Sequence, residues 1–548
     1  MRGVRAPLDH RPRRALGQYF TPHAVAEFAV RALHQRGALD APSPRVIDPA
    51  AGDGLFLEAL ARAVPGARAV GLDIDAALSG GRVHLGNGLL DHPRLDVHEA
   101  FFDVAVGNPP YGGLGLVELQ RLARAAETDE GWRVADAVAR CEVLAASIGP
   151  PPPELGARHL TSRLRRWLDR AFRHPIEGLF MERFVRLLRG GGWMAVVVPE
   201  GVLANARAAP LRAWMAARGR VVAVFGLPRV FASAGATART ALLIYQRHPA
   251  AGPRDLEPPV VLSDVEMEWA PRGQRRREAD LQAYLASPPT VEVPWETVRG
   301  HRWDPRFWDP RWSAPMAELG ELPRRPLGDF ITFMTYGPIV TRRRPADMPG
   351  RIPIISQGQI EESGINLHDA ARVAEGSLFD PPRCRVGTGD LLLPRSGAGS
   401  LGRNRLAVYD RPEPAAIGCF VDVVRLAEIN PWFVWVFLKT RFGWGQIRRV
   451  INGVGMPNIS FEEIRALEVP VVPRPFQDDV ERRWRADVQP AHQRLLEACA
   501  RAGGTGDAAV QACRIQAEAR MNALVTGVEA ALQSWSKTPA ENGQIDRH

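Results

Sequence analysis

The sequence predicts an α/β chain: a Rossmann-like sheet of largely parallel strands, then a mixed α+β domain, then a helical hairpin. Three observations predict it. Residues 45 to 110 alternate short buried strands with helical patterns, as βαβ units do. A second buried run at 193 to 198, with the apolar stretches of 219 to 246, supplies strands that close the same sheet. From 326 to 475 the texture changes to short strands separated by glycine turns. Beyond Gln477 two helical patterns flank Gly503-Gly504-Thr505-Gly506-Asp507.

Each element has its own reason. Residues 45 to 48 and 69 to 73 are short apolar runs that end in aspartate, and 102 to 106 is a third such run. Residues 55 to 64 carry apolar side chains at helical spacing, as do 178 to 188, where Leu179, Phe180, Phe184, Leu187 and Leu188 share a stripe. Gly190-Gly191-Gly192 is read as the stop of that helix. A mostly helical insertion occupies 112 to 175, broken by Pro150 to Pro153. The resulting division is a first domain at 1 to 247 and a connecting region at 248 to 324, rich in Pro, Arg and Trp. A second domain follows at 325 to 476, then a hairpin at 477 to 535 and a disordered tail at 536 to 548. Trp303, Trp308 and Trp312 are expected to pack the connecting region.

With 548 residues the chain is too long for one ordinary core. No apolar run approaches the roughly 18 residues of a membrane span, and no apolar segment follows the basic residues 1 to 14, so neither a membrane nor a secretory signal is expected. The five cysteines form no CxxC pair. A disulfide framework or metal site is therefore not expected, and a cytoplasmic setting is the simplest. The net charge is +9, which suits a polyanionic partner. Of the 70 basic residues only Lys439 and Lys537 are lysine, so the arginine excess also has a compositional reading.

Three signals carry chemistry. Asp48-Pro49-Ala50-Ala51-Gly52-Asp53-Gly54 lies between a strand and a helix, where glycines let the backbone approach a ligand and the helix start favours anionic groups. Asp73 ends the next strand, at a distance where an acid commonly binds ribose hydroxyls; a solvent-facing strand-end aspartate is the bland alternative. Asn108-Pro109-Pro110-Tyr111 follows the strand 102 to 106 at the carboxyl edge, where α/β sheets bind ligands. An aryl amine is a weak nucleophile because its lone pair is delocalised. The Asn108 side-chain carbonyl and the Pro109 backbone carbonyl can hold its N–H groups and draw electron density onto nitrogen. The prolines stiffen the loop and keep it out of a ladder. The Tyr111 ring offers a face for a flipped base. An electrophilic methyl donor such as S-adenosylmethionine (AdoMet) completes the pattern, with no metal, covalent nucleophile or strong base required. As an isolated surface turn the tetrapeptide would mean nothing; its place behind a strand and a glycine turn gives it weight.

Together these residues resemble the gamma class of N6-adenine DNA methyltransferases over 15 to 246, the insertion apart. Gln18-Tyr19-Phe20-Thr21-Pro22 is similar to that family's N-terminal cofactor motif. The resemblance implies that Tyr19 and Thr21 help cover AdoMet, and that Asp48, Pro49, Ala50, Gly52 and Asp73 bind it. It further implies that Asn108, Pro109, Pro110 and Tyr111 form the catalytic loop, with Phe231 flanking the flipped adenine. Where the family has an aspartate for the adenine of AdoMet, this chain has Asn87, in Leu85-Gly86-Asn87-Gly88-Leu89-Leu90, still able to accept from the amino group.

The C-terminal half resembles the target-recognition domain of type I specificity subunits. Pro326 to Phe330, Ile355 to Ile360, Gly389 to Leu393, Gly453 to Ser460 and Val469 to Pro473 carry that likeness, and the following helices resemble the family's spacer helices. Arg395, Arg403 and Arg405 flank a glycine-rich loop and are read as DNA contacts, to phosphate or guanine. The implied partner is double-stranded DNA, with a separate restriction endonuclease or phage-defence subunits as companions. The common lysine-dependent nuclease core does not fit Phe437-Leu438-Lys439 or Trp535-Ser536-Lys537, so methylation without cutting is expected. RNA adenine methylation, protein glutamine methylation, and a methylating subunit active only with partners are the alternatives.

Overall fold

The computed structural model describes residues 21–111, 129–152, 161–227, 239–249, 257–264, 278–451, 458–502 and 507–537. Two compact units divide the chain, Met1–Trp308 and Asp309–His548. No helix among the described residues is long and apolar enough to cross a membrane, and no cluster of His, Cys, Asp and Glu there could hold a metal ion.

The first unit is built on one nine-stranded sheet. Its strands are β1 Arg45–Asp48, β2 Arg68–Asp73, β3 Val83–Leu85, β4 Phe102–Gly107, β5 Leu188–Pro199, β6 Gly219–Gly226, β7 Thr240–Arg247, β8 Val260–Ser263 and β9 Val291–Val293. Their spatial order is β3-β2-β1-β4-β5-β7-β6-β8-β9. Strands β3 to β5 in that order pair in parallel, β7 runs antiparallel between β5 and β6, and β8 lies parallel to β6. The order reverses between β1 and β4, so their carboxyl ends flank the crevice where such sheets bind ligands. The unit is thus Rossmann-like.

Alternation along the strands gives each face its own core. Val46, Val104, Val106, Ala195 and Val197 turn to one face, covered by helices α1 (His23–His34) and α2 (Leu55–Ala63). Ile47, Ala105, Met194, Val196 and Val198 turn to the other. The described part of the insertion covers that second face with α3 (Asp129–Ala139), α4 (Glu142–Ile148) and α5 (Ser162–Ala171), which bury Trp132, Val134, Leu144 and Trp167. Helix α6 (Ile176–Leu187) completes the layer through Met181 and Phe184.

Two features differ from the expectation. Gly190-Gly191-Gly192 does not stop α6: the helix ends at Leu187 and β5 begins at Leu188. The glycines lie inside the strand, where a Cβ on Gly192 would sit 3.1 Å from the Phe102 carbonyl oxygen. Nor does the sheet end at 247. The segment expected to connect supplies β8 and β9 to it, and Trp303 is fully buried in the same core with its ring centroid 5.9 Å from that of Trp295.

The second unit carries three small sheets. A two-stranded ribbon pairs β10 (Arg324–Pro326) with β19 (Glu468–Pro470). One four-stranded sheet has the order β11 (Ile331–Tyr336), β18 (Val421–Leu426), β15 (Leu391–Pro394), β16 (Ala407–Val408). The other has β13 (Arg372–Val373), β12 (Pro349–Ile355), β17 (Ala415–Ile417), β14 (Arg385–Val386). Helix Pro431–Lys439 is buried almost all round and shares one core with β15, β16 and β18, to which Trp484, Met521, Leu524 and Val528 of the C-terminal helices also belong, while Ile352, Ile354, Val373 and Ala416 form a smaller cluster. Helices Gln489–Ala502 and Ala508–Lys537 share a small apolar seam of Leu495, Cys499 and Val510.

Candidate active site

The turn after β1 is shaped by its glycines and by two aspartates. Gly52 and Gly54 have φ of +55° and +83°, left-handed values that a side chain would strain, and Gly54 starts α2. The Gly52 N–H donates to Asp73 Oδ2 at 2.9 Å, and the Asp75 N–H donates to Oδ1 at 2.8 Å. Asp73 thereby ties the glycine turn to the end of β2. Asp48 is 1% exposed; its Oδ1 accepts the Ala50 N–H at 3.0 Å, while Oδ2 is buried with no hydrogen-bond partner among the described residues. Burial lifts the Asp48 carboxyl well above the ordinary range, opposed by the Ala50 N–H and reinforced by the charges of Asp73 and Asp53. Asp73 is raised as well, by burial, against the N–H bonds it accepts. Such an acid cluster suits a cationic ligand.

The loop after β3 closes the other side. Asn87 is 5% exposed, and its Oδ1 accepts the Leu89 N–H at 3.1 Å. Its Nδ2 is buried without a partner among the described residues, so the side chain has a donor to offer, and its oxygen keeps a second lone pair for the acceptor role expected from the sequence. Gly88 packs on the glycine turn: a Cβ there would lie 1.7 Å from the Pro49 carbonyl oxygen. Arg183 of α6, 7% exposed, braces the loop. Its Nε donates to the Gly88 carbonyl at 3.1 Å, its Nη2 to the Leu90 carbonyl at 2.8 Å, and it pairs with Asp91 at 2.9 Å. Arginine is so frequent in this chain that no sequence signal singled out Arg183. Gly88→Ala should push the two loops apart and destabilise the first unit by the roughly 1–3 kcal/mol typical of overpacking; an unchanged melting temperature would refute the close approach of the two loops.

The third strip follows β4. Gly107 lies against Asp48, since a Cβ on it would be 2.5 Å from Asp48 Oδ1. The next residue, Asn108, is half-buried, Pro109 is buried, and Pro110 and Tyr111 are half-buried. The Tyr111 hydroxyl bonds to the Asn108 side-chain oxygen and lies 3.2 Å from the Val197 carbonyl on β5. The loop is thus tied across the neighbouring strand. Two proline nitrogens without N–H end the ladder at this point.

The sequence-predicted residues Thr21, Asp48, Pro49, Ala50, Gly52, Asp73, Asn87 and Asn108 to Tyr111 all belong to the first unit. Thr21 is 7% exposed at the start of α1. Asp48 and Asn108 leave adjacent strands at the reversal of strand order. Tyr19 and Phe231 lie outside the described residues. In the second unit, Arg395 follows β15 and Arg403 is exposed. Arg405 is half-buried with its Nε enclosed, and its charge bears on Lys439 and Glu518 inside that unit.

A glycine turn, two buried acids and a polar loop thus meet at the switch point of the sheet, where folds of this kind bind ligands. No family model matches the chain. It is similar to the type II methyltransferase M.TthHB8I of Thermus thermophilus, 29% identical over 220 residues, which is 40% of this chain. The match spans 42% of that relative's length, less than half. Among solved structures, the type IIG restriction endonuclease BpuSI is 12% identical and is covered over 67% of its length by 94% of this chain, with a TM-score of 0.40. A modification subunit of a putative type I restriction enzyme from Vibrio vulnificus is 17% identical, with 54% and 61% of the two chains covered and a TM-score of 0.33.

Proposed function

We propose that the chain is an AdoMet-dependent DNA methyltransferase that acts on N6 of a flipped-out adenine at a specific site, within a restriction-modification or phage-defence system. One observation carries this reading: the Asp48–Gly54 turn and the Asn108–Tyr111 loop leave neighbouring parallel strands at the switch point, with Gly107 pressed against Asp48. Donor and acceptor sites would then share a wall. The similarity to a type II methyltransferase supports the same reading.

The chain's residues fit the cofactor. Asp48 Oδ2 and Asn87 Nδ2, buried without a partner among the described residues, are polar groups a ligand could satisfy, and the glycines of the turn leave the backbone open to it. When bound, AdoMet supplies an electrophilic methyl group on a sulfonium. Asp48 sits in the wall to balance positive charge, Asp73 is placed for ribose hydroxyls, and Asn87 offers an N–H to a ring nitrogen. Thr21 and, by resemblance, Tyr19 cover the cofactor. The Asn108 side-chain carbonyl and the Pro109 backbone carbonyl accept from the adenine amino group, holding nitrogen with its lone pair out of the ring. Tyr111 and, by resemblance, Phe231 hold the base. Arg403 suits a phosphate contact, whereas the enclosed Arg405 suits a structural role.

Modified-base sequencing of plasmid DNA from cells making the chain, with Asn108→Ala beside it, tests the proposal. The expected result is N6-methyladenine in one short motif, absent from the variant. Methyl label from AdoMet found in RNA or protein, with DNA unmodified, would overturn it.

A further inference from the structure

We infer that Arg395 is a specificity-determining residue that reads a guanine edge in duplex DNA, presented by Tyr336 and Phe461 and positioned by Asp422. The inference deepens the DNA methyltransferase reading and rests on it.

The guanidinium is unusually constrained for a residue at the end of a short strand. On the main chain, the Arg395 N–H donates to the Phe420 carbonyl at 2.8 Å, and the Arg395 carbonyl accepts the Ile459 N–H at 3.3 Å. On the side chain, Cζ lies 4.4 Å from the centroid of Tyr336 and 5.3 Å from that of Phe461, the two rings being 6.1 Å apart. Below it Nη1 is 3.5 Å from Asp422 Oδ1. Three segments distant in sequence, the end of β11, the start of β18 and the start of helix Phe461–Arg465, therefore converge on one arginine.

Asp422 is the second observation. Its side chain is fully buried, and neither carboxylate oxygen has a hydrogen-bond partner among the described residues. Burial lifts its carboxyl to about 7, opposed only by the Arg395 charge. An acid buried without donors costs stability. Here it faces a guanidinium whose side chain remains 30% exposed. A guanidinium already ordered by two rings and an acid loses little side-chain freedom on binding, and its planar fork matches guanine O6 and N7. Beside it Phe420 is 49% exposed, an apolar surface of the kind that meets a thymine methyl in the major groove. Arg403, by contrast, is exposed and lies outside this framework.

The test uses the intact chain in two assays: modified-base sequencing of a randomised plasmid library, and selection of bound duplexes from a random pool. Arg395→Lys keeps the charge and loses the fork; Asp422→Asn keeps the shape and loses the tether. Arg395→Lys should retain AdoMet binding but lose discrimination for G·C at one motif position by about 10- to 100-fold. Asp422→Asn should relax the same position by less, while raising the melting temperature. An unchanged motif in both variants would overturn the inference. So would a loss of affinity uniform across all sequences with the motif unchanged, the mark of a phosphate contact. A wild-type chain that leaves no methyladenine fails the functional reading instead, and the duplex selection then still decides whether Arg395 reads guanine.

Discussion

Asn108→Ala is expected to lower methyl transfer at least about 100-fold at saturating AdoMet and DNA, the usual effect of deleting one preorganised hydrogen-bonding group where charge develops. The reason is local. Asn108 projects from a loop fixed by two prolines and by the bond between the Tyr111 hydroxyl and its own side-chain oxygen. On the proposed reading the group removed is an acceptor for the amine, and none of the atoms that shape the Asp48 turn is altered. AdoMet affinity should therefore hold, and single-turnover transfer should fall while the calorimetric Kd stays put. Loss of cofactor binding in this variant, or transfer at the wild-type rate, would remove Asn108 from the role assigned to it.

Asp48→Asn should have the opposite character, a more stable protein that binds its cofactor poorly. The folded-state pKa of Asp48 is raised above the ordinary value near 3.8. The folded chain therefore holds its proton more tightly than the unfolded chain. This contribution is full below the unfolded pKa and is lost as pH rises through the folded one. In the absence of AdoMet, stability should decline from about pH 4 upward, and the asparagine variant should flatten that decline. Asparagine keeps the acceptor for the Ala50 N–H and avoids the buried charge. A gain of roughly 1.5 to 3 °C in melting temperature near neutral pH, as about 1 to 2 kcal/mol produces in a unit of this size, is the expected reading. AdoMet binding should weaken at least about tenfold, because a hydrogen bond to a charged group in a buried site is worth more than a neutral one. A variant less stable than the parent at pH 8, or one that binds AdoMet normally, would refute this.

Much of the first unit could be read from the chain because its signals are local. An aspartate after a buried run, a glycine turn before a helical stripe and Asn-Pro-Pro after a strand each declare themselves within a few residues. What stayed hidden depends on distant partners. Strands β8 and β9 sit in a stretch whose Pro, Arg and Trp content masks them, and only pairing with β6 makes them part of the sheet. Gly190 to Gly192 have the composition of a helix stop, but pairing of their strand with β4, with Gly192 crowded against Phe102 and Asp103, makes them strand. Asn87 showed its residue type and not which half of its amide the Leu89 N–H would claim. Arg183 and Asp422 act on partners about 90 and 30 residues away in sequence, beyond any local pattern.

The hydroxyl that anchors the Asn108 loop also carries a thermodynamic implication. Tyr111 already bonds to the oxygen that an incoming adenine would use. On the proposed reading, where the amine displaces that donor rather than taking the oxygen's second lone pair, docking exchanges one bond for another of similar strength and gains little in the ground state. What the loop withholds from a resting substrate it can return as nitrogen acquires positive charge, when its N–H groups become the stronger donors. Discrimination against the wrong base would then appear in kcat more than in KM, because the pocket offers no parking place, only a passage.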